Sequence, residues 1–118
     1  MKDDSKYKLE AFYNDMRSYS DDATFKFAYQ SKNHWMLMCL IAINTTEGIS
    51  FENACRELSE KFFSRGTIQS ILDSGIASQF LSKSASEKDK RVQLYRLTEN
   101  AEKQMGAWVE RQTEIFTK

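Results

Sequence analysis

Apolar residues along the chain recur mostly at helical intervals. In the middle, Phe51, Ala54, Cys55, Leu58 and Phe62 stand at i, i+3, i+4, i+7 and i+11, which is one face of an α-helix. Ser50 and Asn53 stand where a capping pair would stand, so the spacing predicts a helix from Phe51 to about Phe62. Ser64 is placed to cap the next helix, with Ile68, Ile71, Leu72, Ile76 and Phe80 as its buried face. Only Phe62 to Ser64 lie between them, and two amphipathic helices joined by so short a turn make a helix-turn-helix.

Upstream, Trp35 to Ile43 is the longest unbroken apolar run. It is far short of the roughly 20 residues that span a bilayer, so no membrane partner is expected. Asn33 is the candidate cap for a helix from His34 to about Asn44, apolar all round and therefore central. Thr45-Thr46-Glu47-Gly48 ends it, and Ile49-Ser50 reads as a short extended piece. Nearer the start, Phe12, Met16 and Tyr19 follow helical spacing within Tyr7 to Tyr19. Ser20-Asp21-Asp22 breaks that helix with capping chemistry, and Phe25, Phe27, Ala28 and Tyr29 form a further helical piece.

After Gln79 the period changes. Phe80-Leu81-Ser82 reads as a strand, and Lys83 to Arg91 as a charged loop. A second strand alternates at Val92, Leu94 and Leu97, with Tyr95 the exception, which completes a β-hairpin. Thr98 then caps a last helix, with Glu99 and Glu102 in its first turn, where acids complement the helix dipole. Its apolar stripe is Ala101, Met105, Trp108, Val109, Ile115 and Phe116.

Helix, turn, helix and a hairpin with a basic loop predict a mainly α fold with a small β-hairpin wing, a winged helix-turn-helix of the α+β class. A length of 118 residues suits one domain. We expect a core over residues 34–98, flanked by terminal helical parts over 1–33 and 99–118. That core leaves little room for Phe12, Met16, Met105, Trp108, Val109, Ile115 and Phe116. Burial against a second copy would cover them, so a homodimer interface is expected there.

Charge changes the picture only locally. The chain as a whole is neutral. Residues 79–96 carry Lys83, Lys88, Lys90, Arg91 and Arg96 against Glu87 and Asp89, which makes the hairpin basic. Local charge, rather than the total, sets the footprint on a phosphate backbone. In a winged helix the second helix of the pair enters the major groove, its N-terminal residues nearest the bases. Here those are Ser64, Arg65, Gly66, Thr67, Gln69 and Ser70. Arg65 suits guanine O6 and N7, and Gln69 suits adenine. Ser64, Ser70 and the helix start suit phosphates.

Enzyme chemistry finds little support. His34 is the only histidine and stands beside Trp35, where a packed or capping role fits better than a catalytic base. Cys39 and Cys55 lie in apolar patterns without Cys-x-x-Cys spacing, which fits core positions in a reducing cytoplasm. One histidine and two cysteines argue against a structural zinc site, and no metal or cofactor is expected. The start, Met1-Lys2-Asp3-Asp4-Ser5-Lys6, has no apolar run behind it, so no secretory signal is expected.

The stretch Ser64 to Thr98 resembles a known family, the multiple-antibiotic-resistance repressor (MarR) type of bacterial regulator. Ser64-Arg65-Gly66-Thr67-Ile68 resembles the opening of that family's recognition helix. Asp89-Lys90-Arg91 resembles its wing signature, Asp-x-Arg, and Leu97-Thr98-Glu99 the opening of its next helix. The family commonly has Leu where Gly75 stands and Gly where Gln79 stands. The resemblance implies a DNA-binding transcription regulator without catalysis. It implies that Lys83, Lys88, Lys90 and Arg91 lie at the DNA, with Arg91 in the minor groove and Asp89 holding it. It also implies a homodimer through the terminal helices, and a possible small aromatic ligand beside Tyr13, Phe25, Tyr29, Trp35 and Met38. The alternative is a winged-helix protein-interaction module that does not bind DNA.

Overall fold

The computed structural model describes residues 1–59 and 61–117. Six helices and a three-stranded sheet follow in the order α1 Asp3–Tyr19, α2 Ala23–Ala28, α3 Lys32–Ile43, β1 Ile49–Ser50, α4 Phe51–Leu58, α5 Arg65–Ala77, β2 Leu81–Ala85, β3 Gln93–Leu97 and α6 Glu99–Thr117. This is the expected winged helix-turn-helix, mainly helical with a small sheet.

Short polar side chains start all the helices but α1 by accepting backbone N–H groups that have no helical partner. Ser50 accepts from Asn53 and Ser64 from Thr67, each at 3.1 Å. Thr98 accepts from Ala101 at 3.4 Å. Asp22 caps α2 through Thr24 at 3.0 Å. One expectation is corrected: the cap of α3 is Ser31, not Asn33. Ser31 is fully extended and accepts from His34 N–H at 3.1 Å, whereas Asn33 already lies inside the helix.

The sheet order is β1-β3-β2, all antiparallel. Leu81 pairs with Leu97, and Lys83 with Tyr95. Lys83, expected in the loop, therefore lies within β2. The inward face of β3 is also corrected. Tyr95 and Leu97 are buried, two residues apart, while Leu94 is only half covered. A period of two cannot bury both Leu94 and Leu97, and pairing of Tyr95 with Ile49 selects the odd-numbered face.

The core gathers Phe25, Ala28, Leu37, Met38, Ile41, Ile68, Leu72 and Ala101, each at most 1% exposed. Helix α4 is shorter than its apolar spacing predicts, ending at Leu58 instead of about Phe62; Glu60 of the expected helix lies outside the described residues. The change of course after α4 swaps the expected anchor. Phe63 is buried at 8% exposure and Phe62 stands out at 48%.

Met105 and Trp108 need a further correction. We expected both at a dimer interface, yet the chain uses them itself. Met105 is 6% exposed in the core. Trp108 stacks edgewise on Trp35 at 5.0 Å and donates its indole N–H to the Tyr29 hydroxyl at 3.1 Å. Helix α2, absent from a minimal winged helix, brings Phe25 and Tyr29 to this stretch of α6 and so enlarges the core.

Helix α1 is different, because none of its residues is fully buried. It lies along α6, where Asp15 accepts from Arg111 Nε at 2.7 Å and from Gln112 at 2.8 Å. The Arg111 guanidinium covers the Tyr19 ring at 3.6 Å, and Phe12 meets Phe116 at 6.0 Å. The chain is consequently long, 53 × 29 × 23 Å, with a radius of gyration of 15.8 Å. A compact chain of this length has a radius of gyration of about 13.5 Å.

The end of α5 carries opposing requirements at two adjacent sites. A Cβ on Gly75 would stand 2.5 Å from Leu81 Cδ1 and 3.4 Å from Phe27, so Leu81 would have to shift for any side chain there. Gln79, by contrast, closes the helix in the left-handed region at φ 65°, a conformation that favours glycine. Phe80 N–H bonds back to Gly75 C=O at 2.9 Å and Gln79 N–H to Ile76 C=O at 3.1 Å, completing the turn. In urea denaturation, Gly75→Ala is expected to lose about 1–3 kcal/mol by overpacking. Gln79→Gly is expected to gain about 0.5–1 kcal/mol by relief of the left-handed backbone.

Candidate nucleic-acid interface

Ile68, Ile71, Leu72 and Gly75 turn one side of α5 into the core. The opposite side is therefore presented to solvent, and it carries the residues the sequence assigns to DNA. Ser64, Arg65, Gly66 and Ser70 are exposed, and Thr67 and Gln69 are half-buried. The structure brings these six to one end and one face of one helix.

Their polar groups are not all free. The Ser64 hydroxyl is engaged by the Thr67 amide at 3.1 Å and lies 3.0 Å from the Thr67 hydroxyl. The Gln69 side-chain amide donates to Asp73 at 2.9 Å, one helical turn on. Arg65 reaches back across the turn to α4, where its two terminal nitrogens donate to Glu52 at 2.6 and 3.2 Å. Those bonds hold the Glu52 carboxyl below its ordinary range and push the Arg65 guanidinium up.

The hairpin supplies the second half of the surface. Lys83 projects from β2, while Lys88, Lys90 and Arg91 lie in the loop over 86–92, all four exposed. Asp89 grips Arg91 at three points, its backbone N–H at 3.1 Å, Nε at 3.0 Å and Nη2 at 3.1 Å. The Arg91 side chain is nevertheless 90% exposed. Asp89 therefore holds the guanidinium without covering it. The same bonds lower the Asp89 carboxyl and raise Arg91.

Arg96, counted among the wing cations, is used internally. It donates to Ser84 at 2.9 Å and to the Glu47 carbonyl at 2.7 Å, tying the hairpin to the turn after α3. Gly48 beneath it, at φ 85°, leaves the space that the guanidinium fills.

Sequence reasoning missed one wall of this surface. Gln30, Ser31 and His34, at the start of α3, face Ser64, Thr67 and Ser70 across an open depression of about 570 Å³. No periodicity relates residues so far apart in the chain, so nothing in the sequence pattern marks them. His34 Nδ1 lies 2.8 Å from the Ser31 hydroxyl, and its ring meets Phe27 edge-on at 5.2 Å. Burial pushes its pKa down.

The residues expected around an aromatic ligand do not enclose one space. Phe25 and Met38 are wholly buried, and Tyr13 is 57% exposed on α1. Tyr29 and Trp35 fill their space with each other at 5.4 Å. Burial raises both cysteine thiols, which favours their protonated form. Among the described residues no cluster of three or more His, Cys, Asp or Glu side chains is placed to hold a metal ion. No described helix is long and apolar enough to cross a membrane.

No protein-family model matches the chain, and neither does any curated protein sequence. Solved structures do. The chain is similar to Staphylococcus aureus MepR in complex with DNA, with a TM-score of 0.67 and 14% identity over 94% of this chain and 86% of that one. It is similar to reduced AbfR bound to DNA, with a TM-score of 0.56 and 18% identity over 90% and 77%. It is also similar to a Lactococcus lactis ZitR mutant in apo form, with a TM-score of 0.54 and 14% identity over 92% and 74%. These likenesses show the winged-helix fold.

The depression wall makes a pH prediction. His34 has a lowered pKa in the fold, so the unfolded chain takes up a proton first as pH falls. Stability is therefore fully present above about pH 6.5 and declines below it. His34→Gln is expected to flatten that decline in urea titrations between pH 7 and pH 5. A mutant with the wild-type pH slope would assign the decline to other groups.

Proposed function

We propose that the chain is a MarR-type winged helix-turn-helix transcription regulator. It binds double-stranded DNA in a sequence-specific way as a homodimer in the bacterial cytoplasm, without catalysis. Helix α5 enters the major groove, and the loop over 86–92 reaches the adjacent minor groove. The observation that carries this reading is Arg91, 90% exposed at the tip of a hairpin and aimed by the carboxylate of Asp89. Narrow minor grooves attract such a cation. Similarity to two proteins solved on DNA, across at least 90% of this chain, supports it.

In this reading Arg65 and Gln69 read base edges. Ser64, Thr67, Ser70 and the backbone at Gly66 approach the duplex closely, and Lys83, Lys88 and Lys90 neutralise phosphates. The alternative is a protein-interaction module. It draws support from the pairing of Arg65 with Glu52 and of Gln69 with Asp73, which leaves the exposed face of α5 without net positive charge.

The homodimer rests on surface that one chain leaves open. A compact monomer of this mass exposes about 6,600 Å², whereas this chain exposes 7945 Å². Helix α1 buries nothing fully, and Met16, Val109 and Phe116 are 36%, 53% and 46% exposed. With the half-buried Phe12 and Ile115 they form the interface we propose, which Met105 and Trp108 no longer join. A two-fold pair of α5 helices would then address two half-sites.

Two outcomes test this reading. DNA affinity is expected to fall as salt rises, with a log–log slope of about 0.9 per neutralised phosphate. Arg91→Ala is expected to weaken binding by about 1–3 kcal/mol with the fold intact. Salt-independent affinity, or a folded mutant as tight as wild type, would contradict the wing assignment. In sedimentation equilibrium the wild type is expected to be a dimer at micromolar concentration, and Val109→Asp a folded monomer. A monomeric wild type would contradict the assembly.

A further inference from the structure

We infer that Glu52 is a specificity-determining residue of the DNA face, acting through Arg65 and touching no base itself. The inference rests on the DNA-binding reading above. Helix α4 begins at Phe51, so Glu52 lies in its first turn. The Ser64 cap makes Arg65 the first residue of α5. The two side chains meet end to end, Nη2 on Oε1 at 2.6 Å and Nη1 on Oε2 at 3.2 Å. The Phe51 ring lies under the guanidinium, 5.0 Å from its centre. Both side chains remain at the surface, 55% and 66% exposed, beside an open depression of about 280 Å³. A fork and a ring thus hold Arg65 in a defined position while leaving it accessible.

The chemistry of the fork decides what Arg65 can bind. A guanidinium has five N–H donors in one plane. Glu52 occupies two, and three remain. Guanine presents two neutral acceptors, O6 and N7, which need two donors. A phosphate oxygen is an anion. To reach the same guanidinium it must approach a carboxylate already bonded there, and the two anions repel. The pair therefore penalises phosphate and leaves a neutral base edge unpenalised. Without Glu52, Arg65 would be a free cation at the start of a helix, suited to clamp phosphate on any sequence. Glu52 converts it into a reader.

The test compares wild type, Glu52→Gln, Arg65→Ala and the double variant by fluorescence anisotropy, on a selected duplex and on a random one, across salt concentrations. Glu52→Gln is expected to bind the random duplex about ten-fold tighter at low salt, with a log–log slope steeper by about 0.9. Its preference for the selected duplex is expected to fall about ten-fold. Arg65→Ala is expected to lose preference at an unchanged slope, because the paired charge neutralises no phosphate. The double variant is expected to return to the wild-type slope. Glu52→Ala also removes the carboxylate, so it is expected to match Glu52→Gln and serves if that variant fails to fold. Wild-type slope and preference in Glu52→Gln or in Glu52→Ala would overturn the inference alone. A wild type that binds no duplex at low salt would overturn it together with the DNA-binding reading.

Discussion

The approach of α5 to β2 at Gly75 is the constraint on which the rest of this molecule depends. Leu81 occupies the space a side chain at position 75 would need, and Phe27 of α2 closes it from another side. This contact sets the distance between the helix that carries Arg65 and Gln69 and the hairpin that carries Arg91. The left-handed turn at Gln79 then sends the chain directly into β2. Thr98 locks the return, since its hydroxyl donates to the Gln79 carbonyl at 2.9 Å. Packing at Gly75 and the bond from Thr98 thus fix α5 and the hairpin to each other.

Electrostatics on that unit follow a common pattern. Asp89 aims Arg91, Glu52 holds Arg65 and Asp73 engages Gln69, each through ordinary hydrogen bonds at the surface. Such exposed pairs add little stability, because solvent screens them. Their effect is on position and on net charge. Long side chains that would sample many rotamers are held by these partners.

Local chemistry was legible in the sequence. Ser50, Ser64 and Thr98 each declared a helix start, and Ile68, Ile71 and Leu72 declared the buried side of α5. The contact of Asp89 with Arg91 was implied by the resemblance of Asp89-Lys90-Arg91 to a wing signature. Wherever a second element decides the outcome, the reading failed. Phe62 yielded its place to Phe63 because α4 ends at Leu58. Leu94 yielded to Tyr95 because the pairing with Ile49 selects the face. Met105 and Trp108 looked surplus because nothing local announces that α2 would dock against them. The fork between Glu52 and Arg65 crosses a helix turn and carries no periodic signature; the bond from Gln69 to Asp73 lies one turn apart and could have been found.

The central claim is that α5 reads bases while the wing reads groove shape, in two copies related by a two-fold axis. Selection of bound sequences from a random duplex pool tests it most directly. A two-fold reader with an arginine in each flanking minor groove converges on an inverted repeat. Its half-sites lie about one helical turn apart, 10–10.5 base pairs between centres, with A·T-rich steps where the wings lie. A pool that fails to converge, or converges on a single site without symmetry, would contradict it.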